Sequence, residues 1–321
     1  MEMSMEKMIE RFEQKDEVAL GKLLKEVENQ TELGFEILKH KSMQSGKAHI
    51  VGITGPPGSG KSTLVGKICK FLAQKGLEIG VVCIDPTSPF TKGALLGDRI
   101  RMQELAKFRN IFIKSLATRG NLGGLASSTA DIVQVLDAFG KDIILLETVG
   151  VGQVEFDVMD LSDTVVLVNV PGLGDSLQTL KAGIMEIADL YVINQADRPG
   201  ANESVKDLRL MLHESNEVDW TPPIIKTIAT QQIGVDELID KFERHKSFLQ
   251  SSAQWEEKRQ YRQMKRLKGM TASLITEMVD NCMRNDPLIQ RRIEEVKHGE
   301  VDPFTVSNEL IKNLFTKQST Y

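Results

Sequence analysis

The segment GPPGSGKS at 55–62 carries the clearest chemistry: Gly55, Pro56, Pro57, Gly58, Ser59, Gly60, Lys61 and Ser62 meet the spacing G-x-x-x-x-G-K-S. Glycines there let backbone N–H groups turn inward around an anion where a Cβ would clash. Lys61 can reach the β- and γ-phosphates of a nucleoside triphosphate, and the Ser62 hydroxyl is spaced to bind Mg²⁺. An apolar run at 49–54 precedes the loop, and a helical window at 61–74, including Thr63, follows it, adding its positive end to the anion site. That context predicts a nucleoside triphosphate site.

Carboxylates for the metal are sought at the ends of later apolar runs. Glu147 opens ETVG, whose Gly150 amide is spaced to face a γ-phosphate; the usual D-x-x-G has Asp where Glu reaches one methylene further. Asp85 opens DPTSPF at the end of the run 79–84, where a carboxylate lies in the ligand crevice of a parallel sheet. Asp98, in GDRIRM, suits either a ligand contact or the N-cap of a helical window at 98–107. Which of Asp85 and Asp98 touches the metal stays open.

The base is read from Asn194, Gln195, Ala196 and Asp197, which resemble the guanine-reading motif N-K-x-D. A carboxylate at Asp197 accepts from both the ring N–H and the exocyclic amine of guanine, a donor pair that adenine lacks. Gln195 replaces the usual Lys, keeping part of its stem and losing its charge, so weaker binding is expected rather than a changed base. Ile228, Ala229 and Thr230 lie where a backbone N–H would meet the guanine oxygen.

These residues need a scaffold, and the hydrophobic pattern supplies one. Val/Ile-rich runs at 49–54, 79–84, 111–116, 143–146, 164–170, 191–193 and 224–228 are continuously apolar, as strands buried on both faces must be. Helical windows alternate with them, around 61–74, 98–107, 125–139, 175–188, 202–214 and 235–249, which predicts an α/β fold with a mostly parallel sheet flanked by helices. Residues 4–41 read as helix, with Leu20, Leu23, Leu24 and Val27 on one face. Polar 41–47 is a hinge, and 253–317 read as all helical. The expected organisation is an N-terminal helical extension at 1–46, a nucleotide-binding domain at 47–250 and a C-terminal helical segment at 251–321.

Composition removes other classes. Lys+Arg 40 against Asp+Glu 45 gives a net charge of −5 over 321 residues, which argues against nucleic acid. No apolar run approaches bilayer length, and residues 1–12 lack a signal-peptide core, so a soluble, cytoplasmic protein is expected. Cys69, Cys83 and Cys282 are far apart and read as buried hydrophobes. His40, His49, His213, His245 and His298 have no partner ligand at i+3 or i+4, so no transition-metal site is expected. The basic run Lys258, Arg259, Arg262, Lys265, Arg266 and Lys268 reads as a solvated helix face, balanced by Glu256 and Glu257.

Taken in order, GPPGSGKS, DPTSPF, GDRIRM, ETVGVGQ at 147–153 and PGLGDSLQTLK at 171–181 closely resemble the MeaB/ArgK family, and the resemblance spans essentially the whole chain. The family comprises P-loop GTPases that act as chaperones for adenosylcobalamin-dependent acyl-CoA mutases of the methylmalonyl-CoA mutase type. The resemblance implies GTP/GDP and Mg²⁺ as ligands, with Lys61 and Ser62 on phosphate and metal. It implies Asp85, Asp98 and Glu147 around the metal and the attacking water. It implies a switch around Gln153 and a second switch whose Gln178 and Lys181 communicate with the mutase. Dimerisation through the helical C-terminus is implied too, and the stripe Leu267, Met270, Leu274 and Met278 fits a homodimer face. No arginine is evidently aimed at the γ-phosphate, so hydrolysis is expected to be slow without the partner. Alternatives are a nickel-insertion GTPase, which lacks its His/Cys cluster here, and a small-molecule kinase, which the guanine motif disfavours.

Overall fold

In the computed structural model, residues 5–44, 46–85, 104–117, 122–148, 159–172, 187–213 and 220–317 are described. Seven strands form one sheet: β1 (His49–Thr54), β2 (Ile79–Asp85), β3 (Ile111–Ala117), β4 (Ile143–Thr148), β5 (Thr164–Asn169), β6 (Leu190–Asn194) and β7 (Ile224–Thr227). Their order is β3-β2-β4-β1-β5-β6-β7, and every pair is parallel. β1, β4, β5 and β6 are buried at every position, which is why the sequence shows unbroken apolar runs instead of alternation.

Helices cover both faces. On one lie α4 (Lys61–Gln74) and α7 (Val235–Ser251), packing Leu64, Ile68, Leu238 and Phe242 against Val51, Ile53 and Val166. On the other lie α5 (Leu122–Phe139) and α6 (Ala201–His213), with Ile132, Leu136 and Leu208 against Ile50, Ile144 and Tyr191. The N-terminal stretch, read as helix over 4–41, consists of three helices, α1 (Met5–Glu13), α2 (Glu17–Glu28) and α3 (Glu32–Lys39). The breaks are chemical. Asp16 accepts from the N–H groups of Val18 and Ala19 to start α2, and Thr31 accepts from Gly34 to start α3. The stripe read from the sequence does its expected work: Leu20, Leu23, Leu24 and Val27 are at most 1% exposed and share the core with α5.

The chain divides into two compact units, residues 1–263 and 264–321, and α8 (Gln254–Asn285) runs through the boundary. In the second unit, α9 (Pro287–Lys297) and α10 (Pro303–Lys317) are joined by the Arg292 guanidinium, which grips the Glu309 carboxylate at 2.9 and 2.8 Å, above buried Ile289, Val306 and Leu310.

The start of α8 corrects the reading of its basic run as a solvated face. Lys258 donates to Asp163 O at 2.8 Å, Arg259 to Gly46 O and Ala48 O at 2.9 and 3.1 Å, and Arg262 to Leu161 O at 2.9 Å. Arg262 also pairs with the fully buried Asp163 at 2.9 Å, and Arg259 lies over the Trp255 ring at 4.6 Å. Charge at helical spacing cannot say which cations find carbonyls, because their acceptors lie far off in sequence.

Beside this anchor, two histidines that stood alone in the sequence meet through a threonine. His49 Nε2 and His245 Nδ1 lie 2.7 and 2.8 Å from Thr164 Oγ1, and His245 Nε2 is 3.4 Å from Asp189. With the His245 proton on Nε2, beside the Asp189 carboxylate, His245 Nδ1 accepts from Thr164 Oγ1–H, and Thr164 Oγ1 accepts from His49 Nε2–H. Burial holds the His49 imidazole well below the usual range and lowers His245 to about 4.

Candidate nucleotide site

Every strand is parallel, so β1, β2 and β4 end on the same edge of the sheet, and the loop 55–60 leaves β1 there. Gly55, Gly58 and Gly60 have φ of +144°, +78° and +83°, the conformations that turn successive amides inward. Two of these glycines are also required by space. A Cβ on Gly55 would lie 2.0 Å from Val168 O, and one on Gly60 would lie 2.5 Å from Asn194 Nδ2. Gly60 caps α4, whose amino end therefore faces the loop.

Lys61, only 6% exposed, donates to Gly55 O at 2.7 Å and Pro56 O at 3.0 Å. The ammonium is thus held inside the curl of its own loop. Ser62 Oγ donates to Glu147 Oε1 at 2.6 Å, and Glu147 is 3% exposed in β4, in register with Ile53 of β1 and Cys83 of β2. Burial, with the Glu147 charge nearby, pushes the Cys69 thiol up. Next along β4, Thr148 Oγ1 donates to Thr54 Oγ1 at 3.2 Å, tying the end of β4 to the root of the loop. A hydroxyl and a carboxylate are hard oxygen donors, and Mg²⁺ takes one or two carboxylates and completes its shell with phosphate and water. Among the described residues no cluster of three or more His, Cys, Asp or Glu could hold a metal ion. The donors present therefore fit Mg²⁺ accompanied by phosphate and do not form a closed protein cage.

The guanine motif ends β6. Asn194 is 2% exposed and uses both ends of its amide: Nδ2 donates to Ser59 O at 2.8 Å, and Oδ1 accepts from Thr227 Oγ1 at 3.0 Å and Ala229 N at 3.2 Å. It is a clamp joining the phosphate loop to the end of β7. The Ala229 N–H expected to meet a guanine oxygen is engaged by this clamp, and the Ile228 N–H bonds Ile233 O. Thr230 is exposed in the following turn, and Asp197 is exposed three residues past the strand.

Asp85 ends β2 on the same edge, its backbone beside Ala117. Asp98, Gly150, Gln153, Gln178 and Lys181 lie outside the described residues. The clamp role of Asn194 and the Thr54–Thr148 tie escaped the sequence reading. The motif signalled Asn194 as a site residue, but nothing in its spacing told where the amide points.

Comparison with known proteins fits this geometry. A family model described as methylmalonyl-CoA mutase-associated GTPase MeaB matches residues 20–284. The chain belongs to the MeaB family of P-loop GTPases. Two relatives are similar over nearly the whole length. A putative GTPase of Pyrococcus abyssi is 47% identical over 313 residues, 96% of each chain. GTPase ArgK of Escherichia coli is 29% identical over 330 residues, 98% of each. The mitochondrial methylmalonic aciduria type A homolog of Mus musculus is 37% identical over 273 residues, 82% of this chain and 64% of that protein. A crystal structure of a LAO/AO transport system kinase has a TM-score of 0.67 at 24% identity, covering 97% of both chains, and shows the shared fold.

Proposed function

We propose that this MeaB-family GTPase binds GTP with Mg²⁺, hydrolyses it slowly alone, and acts as a switch-like chaperone for an adenosylcobalamin-dependent acyl-CoA mutase of the methylmalonyl-CoA mutase type, gating cobalamin loading and protecting the enzyme. The observation that carries the nucleotide reading is the Asn194 clamp. It closes the guanine motif onto the phosphate loop, so base and phosphate elements form one site. The mutase comes from the family description, and the methylmalonic aciduria in the name of the mouse relative agrees with it.

In this reading Gly55, Pro56, Pro57, Gly58, Ser59 and Gly60 cradle the phosphates with Thr63, and Lys61 turns from its loop carbonyls to the β- and γ-oxygens, a charge-assisted exchange. Ser62 and Glu147, with Asp85 and Asp98, would hold Mg²⁺, which would supply positive charge to offset the negative charge developing on the phosphates. Asp197 accepts from guanine, and Gly150 reads the γ-phosphate. Phosphoryl transfer to water needs positioning and charge stabilisation more than covalent chemistry, so a partner that orders Gln153, Gln178 and Lys181 is expected to raise the rate. The second unit supplies a homodimer face: Leu267, Leu274 and Met278 are exposed along α8.

Titration with GTP, GDP, ATP and xanthosine triphosphate tests the base reading. GTP and GDP should bind, and Asp197→Asn should weaken GTP and favour xanthosine triphosphate; equal competition by ATP would reject it. Hydrolysis measured with and without the mutase tests the partner. Light scattering on the full chain carrying Leu267→Asp and Leu274→Asp tests the dimer, which should fall to a monomer with nucleotide binding kept.

A further inference from the structure

Gln195 stands where the usual motif has a lysine, and the structure gives that exchange a mechanical setting. Its φ is +55°, in the left-handed region that a non-glycine residue enters at a cost. This conformation turns the chain away from β6: Arg198 N bonds Gln195 O and Ala196 N bonds Thr227 O, both at 3.0 Å. It also carries the side chain back over the phosphate loop, where Nε2 donates to Gly58 O at 3.1 Å. The same Nε2 lies 3.5 Å from where a Cβ on Gly60 would sit. Oε1 is enclosed and has no hydrogen-bond partner.

We propose that Gln195 sets the residence time of guanine nucleotides, holding the phosphate loop by a neutral tie so that GTP and GDP are both released quickly. The inference rests on the guanine-nucleotide reading above. Three features act in the same direction. A neutral amide bond to a carbonyl is about half as strong as a charge-assisted one. The amide adds no positive charge near a bound polyphosphate, whereas an ammonium at that position would. An enclosed acceptor without a donor, on a residue in a strained conformation, gains when the loop opens and water reaches it. The tie ends on Gly58 and touches neither Ser62 nor Glu147, which the reading above gives to Mg²⁺, so the effect falls on diphosphate and triphosphate alike. Such a site needs no separate factor to expel GDP, and its state follows the ratio of GTP to GDP around it.

Stopped-flow displacement of fluorescent GDP, and of a fluorescent non-hydrolysable GTP analogue, from the full-length protein tests this. Gln195→Lys should slow release of both by about tenfold and by the same factor, with the gain shrinking at high salt as the new charge is screened. Gln195→Met keeps the stem without the amide and should release at least as fast as the native chain; melting curves of both variants report that they fold. Release from Gln195→Lys at the native rate or faster, slowing of the triphosphate alone, or slower release from Gln195→Met would each overturn the proposal. Failure of the native chain to bind any guanine nucleotide at millimolar concentration would instead remove the reading it rests on.

Discussion

Lys61 at the carboxyl edge of the sheet and Arg262 at its amino edge are both cations with little exposure, yet the fold holds them by different means. Lys61 rests on the neutral carbonyls of Gly55 and Pro56, in a loop bent through three glycines with positive φ. Arg262 is paired with Asp163, a carboxylate with no exposure that also accepts from Ile50 N at 2.9 Å. A phosphate outcompetes a carbonyl for an ammonium, whereas nothing arriving from solvent replaces a buried carboxylate. Helix polarity favours the same division: the amino end of α4 faces the carboxyl edge and attracts anions, and the carboxyl ends of α4 and α5 lie towards the amino edge and attract cations. One edge is therefore built to exchange its contacts with a ligand, and the other to keep them.

Breaking the permanent edge should have the largest effect. Asp163→Ala leaves Arg262 without its carboxylate and the Ile50 N–H without its acceptor, and should destabilise the fold by about 3–5 kcal/mol in denaturant titration, with nucleotide affinity of the folded fraction kept. A loss below about 1 kcal/mol would mean that this pair does not hold the edge. Lys61→Ala is the mirror case. Guanine nucleotide affinity should fall by about 100-fold or more, roughly 2.7 kcal/mol, with little change in melting temperature. A variant that melts much earlier yet binds normally would reverse the comparison.

A pH titration sharpens it. His49 and His245 are neutral in the fold, so the unfolded chain takes up protons below the ordinary value of 6.5 while the folded chain resists until about 4 for His245. Stability is full above pH 6.5 and should fall as pH drops through that window, by about 1.4 kcal/mol per pH unit for each proton taken up. A flat profile between pH 6.5 and 4.5 would contradict the neutral chain through Thr164. The smallest effect is expected from Arg259→Lys. It loses the fork that reaches Gly46 O and Ala48 O, together with the planar contact on Trp255, and should cost about 1 kcal/mol without changing nucleotide binding.

Much of the nucleotide edge was legible beforehand because its chemistry is local. Eight consecutive residues make the phosphate loop, and unbroken apolar runs around it mark strands buried on both faces. Lys61 and Ser62 could be assigned to that loop for the same reason, since both follow directly from a turn between strand and helix wherever the rest of the sheet lies. Glu147 needed one more step, the parallel register that sets β4 beside β1. Asn194 was half legible: its type and its place after a strand marked the site, but its service as a clamp depends on Ser59, Thr227 and Ala229 converging from three segments.

The sequence by itself determined the alternation of strands and helices, the phosphate loop, the buried stripe of α2 and the helical tail, because each depends on side-chain periodicity or on contacts within a few residues. Tertiary structure alone decided the amino edge. Lys258, Arg259 and Arg262 looked like solvated charge until their carbonyl acceptors came into reach, and His49 and His245 looked solitary until Thr164 stood between them. Helical spacing reports which residues share a face of their own helix. Whether a cation on that face meets water or a buried carboxylate depends on where the chain folds back, and only the packed sheet sets that.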